Sequence, residues 1–332
     1  MDIRNTRALK TFAAERLSGA PQEKKIVWIY SSLVLGLALL STLIHYVLGL
    51  QISQMGGLSQ IGSRTVLSTL QSMLPLVQSL VVMCLDLGYM AAMLRIARGQ
   101  YASPNTLRLG FDRFWTLLRC FAILGLIYAT LAVSAVYLAA MLFVMTPFGK
   151  PFMDRMATMN TATSLLNPQV TLDDAMVMEL IPTMLPMFLM ALIAMCVLLV
   201  PVTYRYRMVD YVIIDKPGMG AMAALRESRA MMRGNCMKLL KLDFSYWWYY
   251  LVLFAIGFVA DLNLLLPMMG VTLPVSAEVA YFGFYALYLV LQLLAYCFLR
   301  NRLEVSYALA YDAVKPEEKQ DGGVVLGNIF NM

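Results

Sequence analysis

The sequence predicts an all-α membrane protein of six transmembrane helices, with three amphipathic helices lying on its cytoplasmic side. Three observations carry that prediction. Six long apolar runs divide the chain. Hydrophobic residues make up 60% of it and charged residues only 14%, against about a quarter charged in ordinary soluble domains. Finally, 23 of the 26 basic residues fall in, or at the adjoining span ends of, the N-terminal segment, the second and fourth gaps between runs, and the C-terminal segment. Only Arg64, Lys150 and Arg155 lie elsewhere. Translocating basic flanks is disfavoured, so this alternation places both termini in the cytoplasm.

The first segment, up to residue 25, is polar and too long and charged to open a cleavable signal peptide. Its Leu9, Phe12, Ala13 and Leu17 repeat at helical spacing, predicting an amphipathic helix in the inner headgroup layer. The spans follow at about 26–48, 66–94, 119–146, 180–204, 239–260 and 276–299, each long enough to cross about 30 Å of hydrocarbon. Lipid offers bare backbone no partner, so such runs become helices. Pro75, Pro182, Pro186 and Pro201 are expected to kink the second and fourth. Trp28, Tyr30, Tyr204, Tyr206 and the run Trp247-Trp248-Tyr249-Tyr250 mark the inner interface, and Tyr281, Phe282 and Tyr285 the outer one.

Two cytoplasmic gaps carry further stripes. Leu107, Phe111, Phe114, Trp115 and Leu118 lie on one helical face over 105–118, with Arg108, Asp112 and Arg113 off it. Over 218–233, Met222, Leu225 and Met232 stand beside Arg226, Arg229 and Arg233, with Asp215 and Pro217 as a start signal and Gly234-Asn235 as a stop. Each amphipathic helix thus precedes two spans, giving three helix-plus-hairpin units. Ala8-Leu9-Lys10 with Gly19 echoes Ala224-Leu225-Arg226 with Gly234; internal repetition and convergent use of similar connectors both explain it. The long third gap, 147–179, is external. Residues 1–314 read as one polytopic domain and 315–332 as a flexible polar tail.

Composition excludes several function classes. The formal charge of +6 gathers on one side of a membrane, where anionic lipid accounts for it, and no compact basic domain exists for nucleic acid. Cys84, Cys120, Cys196, Cys236 and Cys297 include no CxxC pair and read as buried or reduced thiols. His45 is the single histidine, too few for a typical zinc site or a His-paired nucleophile. No GxSxG, HExxH or GxxxxGK[ST] pattern occurs. Met153, Met156 and Met159 have a spacing that soft copper could use, but methionine is abundant throughout the apolar runs, where it fills irregular gaps. The chain is therefore expected to be no enzyme and to hold no metal or cofactor.

Asp86 is the residue that most invites a functional reading. It lies nine positions before Arg95, roughly 13 Å inside the inner boundary on a straight helix. An ionised carboxylate there costs about 2.5–3.5 kcal/mol on insertion scales and must face protein, water or a partner. It binds a proton, cation or lipid amine on one reading; on the other it ties helices together, with Gln78 on the same helix as a companion. Asp243, Asp261, Glu278 and Glu304 lie near span ends, and Arg300 with Glu304 makes an i,i+4 pair. Arg108, Arg113, Trp115, Arg226, Arg229, Arg233, Trp247 and Trp248 are the expected lipid contacts, with anionic inner-leaflet lipids as partners. Protein partners or a second copy are further candidates.

One stretch carries a family resemblance. It reads Tyr211-Val212-Ile213-Ile214-Asp215-Lys216-Pro217, then Ala224-Leu225-Arg226-Glu227-Ser228, Met231-Met232-Arg233-Gly234-Asn235, and Leu242-Asp243-Phe244-Ser245. Gly88-Tyr89, Leu94, Arg98-Gly99 and Phe111 to Phe114 precede it. In this order the segments resemble the bacterial integral membrane family known as domain of unknown function 975. Tyr246-Trp247-Trp248 and the long third gap depart from its pattern. The resemblance implies a multi-pass protein of a bacterial plasma membrane and supplies no functional residue. Two functions then stand side by side: handling lipids or other amphipathic molecules, or organising membrane partners, against secondary transport or a channel centred on Asp86.

Overall fold

A computed structural model describes residues 6–55, 61–154, 174–268, 271 and 275–315; among them it contains helices and turns but no strand. Five helices are long and apolar enough to cross a membrane, and a bent pair would make a sixth. The chain forms two compact units, one of residues 1–117 with 208–332 and one of residues 118–207. The tail beyond Lys315 and most of the third gap, including Met156 and Met159, lie outside the described residues.

The first unit is built on three long helical pillars. Helix α1 spans Thr6–Ser18, α2 Gln22–Gln54 and α3 Ile61–Ala97. The third pillar begins as α12, Ala277–Ala295, passes through one π-helical turn at Tyr296–Arg300, and continues as α13, Asn301–Val314. At 1.5 Å per residue α3, with 37 residues, is about 55 Å long, far beyond a 30 Å hydrocarbon core. Burial shows how the excess is used. In α2 the buried residues run from Glu23 to Leu35 and none follow. In α3 they start at Cys84, and α13 is buried continuously from Leu303 to Tyr311. Each pillar thus has an outer part with exposed apolar side chains, Leu39, Leu43, Val66, Leu70, Leu76 and Val290 among them, and an inner part packed in protein.

Shorter elements complete the inner core. After α3 come a 3₁₀ turn at Pro104–Arg108 and the single turn α4, Leu109–Asp112. This segment lies directly on α3, and two glycines permit it. A Cβ at Gly88 would stand 2.6 Å from Leu107 Cα, and one at Gly110 would stand 2.6 Å from the Cys84 carbonyl carbon. That backbone contact breaks the continuous helix expected over 105–118. Leu107 is buried while Phe111 and Trp115 remain exposed. Helix α5, Phe114–Val144, starts immediately afterwards.

The stretch that carried the family resemblance forms α7, Val209–Asp215, α8, Ala221–Met232, and α9, Cys236–Ser245. Asp215 ends α7 instead of opening α8, which starts after Gly220. The expected stop is in place: Gly234 has φ +83, a left-handed conformation open to glycine. The buried face of α8 is Ala224, Leu225, Ser228, Met231 and Met232, leaving Met222 exposed. The expected fifth span is broken at Tyr246, where α9 and α10, Trp247–Ala260, meet at 60°. Lys238, Lys241 and Asp243 give α9 its polar positions, while α10 is apolar almost throughout. The break separates the amphipathic half from the apolar half. Helix α11, Leu262–Met268, follows and leads toward α12.

The second unit contains most of α5 and α6, Asp174–Tyr206. Ala135, Ala139 and Phe143 are buried on α5, and Phe143 meets Phe152 edge to face at 5.5 Å.

Candidate functional site

Where the three pillars change from exposed to buried, they bring Asp86, Tyr30 and Arg300 together. Arg300 Nη2 donates to Asp86 Oδ1 at 3.0 Å, and the Tyr30 hydroxyl donates to the same oxygen. The Arg300 side chain is 13% exposed and that of Asp86 31%. Arg300 comes from the π-helical turn, whose extra residue shifts the register between α12 and α13; such turns recur at functional positions. Its guanidinium lies 5.1–5.2 Å from the ring centroids of Tyr30, Tyr89 and Tyr296. Tyr30 stacks on Tyr89 at 4.4 Å. The cation is thus held by a carboxylate and three π faces. The Tyr89 hydroxyl is fully buried and has no hydrogen-bond partner among the described residues.

From Arg300 the polar groups continue along one face of the last pillar. Arg300 Nε pairs with Glu304 Oε1 at 3.6 Å, the i,i+4 contact expected from sequence. Glu304 is buried and accepts from Tyr211 at 3.4 Å. Tyr211 stacks on Tyr311 at 5.4 Å, and the Tyr311 hydroxyl donates to Asp215 at 3.2 Å. Asp215 also receives Lys315 at 2.6 Å and Arg98 at 2.8 Å, while Arg98 grips Asp312 at 2.6 Å. Hydrogen bonds to Asp312, aided by those to Asp215 and opposed by burial, hold the Arg98 guanidinium above its ordinary pKa. Side branches tie in the neighbours: Asn301 donates to Glu23, Tyr246 bonds Ser306 at 2.8 Å, and Tyr307 donates to Asp243. Lys10 of α1 donates to the Ser245 carbonyl and stands 4.2 Å above the Tyr246 ring; burial pulls its ammonium below the usual lysine range.

These contacts distribute the residues singled out from sequence. Asp86 is brought to Arg300 and Tyr30, whereas Gln78 lies eight residues back, about 12 Å along the helix axis. Gln71 donates to the His45 carbonyl and Gln292 to Tyr296. Arg113 donates to the carbonyls of Ile213 and Ile214, closing the C-terminal end of α7. Arg108, Arg226, Arg229 and Arg233 are exposed, as are Trp115, Trp247 and Trp248. Sequence reasoning missed α13 as a hub and missed Tyr30, Tyr89 and Arg98 as its partners. The Tyr296, Arg300, Glu304, Tyr311, Lys315 spacing, built from steps of four and seven, was the available signal. Among the described residues no group of three His, Cys, Asp or Glu is placed to hold a metal ion.

Among the described residues, cavities open on the inner core at three of its edges. One, of about 710 Å³, is bounded by Phe12, Glu15, Arg16, Gln22 and Tyr101. One of about 370 Å³ lies between the start of α2 and the π-helical turn, with Val27, Trp28 and Phe298 on its apolar side and Glu23, Lys24 and Arg302 on its polar side. A further one, of about 240 Å³, is at the end of α3. Asp86 lines none of the three.

No curated protein and no solved structure matches the chain. Of the segments that suggested a family, Gly88, Tyr89 and Met232 are buried and Arg98 pairs with Asp215, whereas Gly99, Pro217, Arg233 and Gly234 are exposed. The model of the family described as "Protein of unknown function (DUF975)" matches residues 1–308, and the chain belongs to that family.

Proposed function

We propose that this chain is a non-enzymatic, multi-pass protein of a bacterial plasma membrane that handles lipids or other amphipathic molecules at the inner leaflet. In this reading the bent α9–α10 pair counts as the fifth of six spans. The inner core, with α1, α8 and the exposed Arg226, Arg229 and Arg233, faces the cytoplasm with both termini. The one-sided distribution of basic residues supports that orientation.

The observation that carries the reading is the cavity beside Trp28. Its apolar side is built from Val27, Trp28 and Phe298, of which Trp28 is 47% and Phe298 64% exposed. Its other side presents Lys24 and Arg302 together with Glu23, which Asn301 engages. A ligand with one apolar and one anionic end satisfies both sides, and a small hydrophilic solute satisfies one. Transport centred on Asp86 has less support. The carboxylate already holds a guanidinium and a phenol, and it lines none of the cavities described.

Full-length protein reconstituted in liposomes is expected to retain or move a fluorescent lysophospholipid. Trp28→Ala/Phe298→Ala is expected to weaken that by about tenfold or more, since burying one large apolar side chain contributes about 1.5–3 kcal/mol. Asp86→Asn protein that still folds should behave as wild type in the same assay. Wild-type protein that neither retains nor moves the probe would falsify the proposal. Ion-driven uptake lost in Asp86→Asn would establish the transport reading in its place.

A further inference from the structure

The 240 Å³ cavity at the end of α3 is walled by Arg95, Arg98, Arg113, Gln100, Leu109 and Asp215. Three arginines from two segments, α3 with its C-terminal turn and the stretch after α4, line this small space. Asp215 is the one acidic residue in the wall, and it is already engaged by Arg98, Lys315 and Tyr311. Counting the next neighbour, Asp312, four cations (Arg95, Arg98, Arg113 and Lys315) face two carboxylates, an excess of two positive charges.

That excess sits on the two arginines with least to hold. Arg95 is exposed, and its contact is a 3.5 Å approach to the Thr106 hydroxyl. Arg113 uses Nη1 for the Ile213 and Ile214 carbonyls, which leaves its Nε and Nη2 donors. Guanidinium donors match phosphate oxygens in pairs, and the Gln100 amide adds a neutral donor. The cavity is small for a whole lipid and of a size for a headgroup. Phe111 and Trp115, 47% and 69% exposed, flank Arg113 in the chain and offer apolar surface beside it.

We propose that Arg95, Arg113 and Gln100, braced by the Arg98–Asp215 pair, form a binding site for a phosphate group, with a phosphomonoester lipid of the inner leaflet as its source. The choice of lipid over free phosphate rests on the lipid-handling reading above; the phosphate site itself rests on the arginines alone.

Full-length protein in neutral detergent is titrated with short-chain phosphatidic acid and, separately, with inorganic phosphate. Phosphatidic acid is expected to bind, and Arg95→Gln to weaken it by about tenfold, the scale of one charge-assisted hydrogen bond. Arg95→Gln/Arg113→Gln is expected to abolish it, and Arg95→Lys to retain part. Because Arg113 also closes α7, the exposed Arg95 is the decisive position, with a thermal melt confirming each fold. Inorganic phosphate binding as tightly, with the same dependence on Arg95, keeps the phosphate site and overturns lipid as its source. Unchanged phosphatidic acid binding in both Gln variants overturns the site while leaving lipid handling at the Trp28 cavity intact. Wild-type protein that binds neither probe overturns it as well.

Discussion

Arg300→Met is expected to lower the stability of the inner core by about 3–5 kcal/mol, the cost of leaving one member of a buried ion pair without its partner. The loss has three parts. Asp86 keeps only the Tyr30 hydroxyl, Glu304 loses its i,i+4 partner, and the Tyr30, Tyr89 and Tyr296 rings lose the cation between them. Arg300→Lys should recover only part of this, because an ammonium cannot reach Asp86 and Glu304 as a planar fork does. Arg300→Met/Asp86→Asn should be more stable than Arg300→Met, since the Asp86 carboxylate is no longer left uncompensated and only Glu304 still lacks its guanidinium. Thermal melts of the purified variants in one detergent measure all three. If the double variant is no better than Arg300→Met, the ion pair is not what holds the pillars together.

Gly110→Ala is the second large effect. The new methyl would meet the Cys84 carbonyl at a distance no real Cβ tolerates, and both partners are backbone, so no rotamer change relieves the clash. The 104–112 segment must lift from α3, uncovering Leu107 and the buried Cys84. Overpacking usually costs about 1–3 kcal/mol and more where the neighbour cannot move; here the upper end or beyond is expected. Gly88→Ala, against Leu107, should act likewise. Gly125→Ala has open space around its Cβ and serves as the control. The measurement is the rate at which a thiol reagent reaches Cys84, in protein whose other cysteines are replaced by serine. Labelling of Gly110→Ala as slow as wild type would show that the segment does not depend on close backbone approach.

The sequence disclosed what periodicity and solvent preference control. The apolar runs, the helix through Leu9 and Ala13, the stop at Gly234 and the Arg300–Glu304 spacing all follow from neighbours within a few residues. It was silent where tertiary contact decides. Helix α13 has a mixed pattern, with Glu304 and Ser306 among Leu303, Val305 and Leu309, because it is surrounded by protein and has no single wet face. The fifth run looked continuous, since hydropathy does not register a 60° bend between Ser245 and Trp247. The 105–118 stripe looked helical because spacing alone cannot reveal that Gly110 must touch the Cys84 backbone. For the same reason Asp86 stood out as an isolated charge: Arg300 lies 214 residues away, and nothing local couples the two.

That separation has a consequence in time. A ribosome adding about 5–20 residues per second needs roughly 10–40 s to go from Asp86 to Arg300. Throughout that interval the nascent carboxylate is in the cell without its guanidinium, and α3 cannot settle against a pillar that has yet to be made.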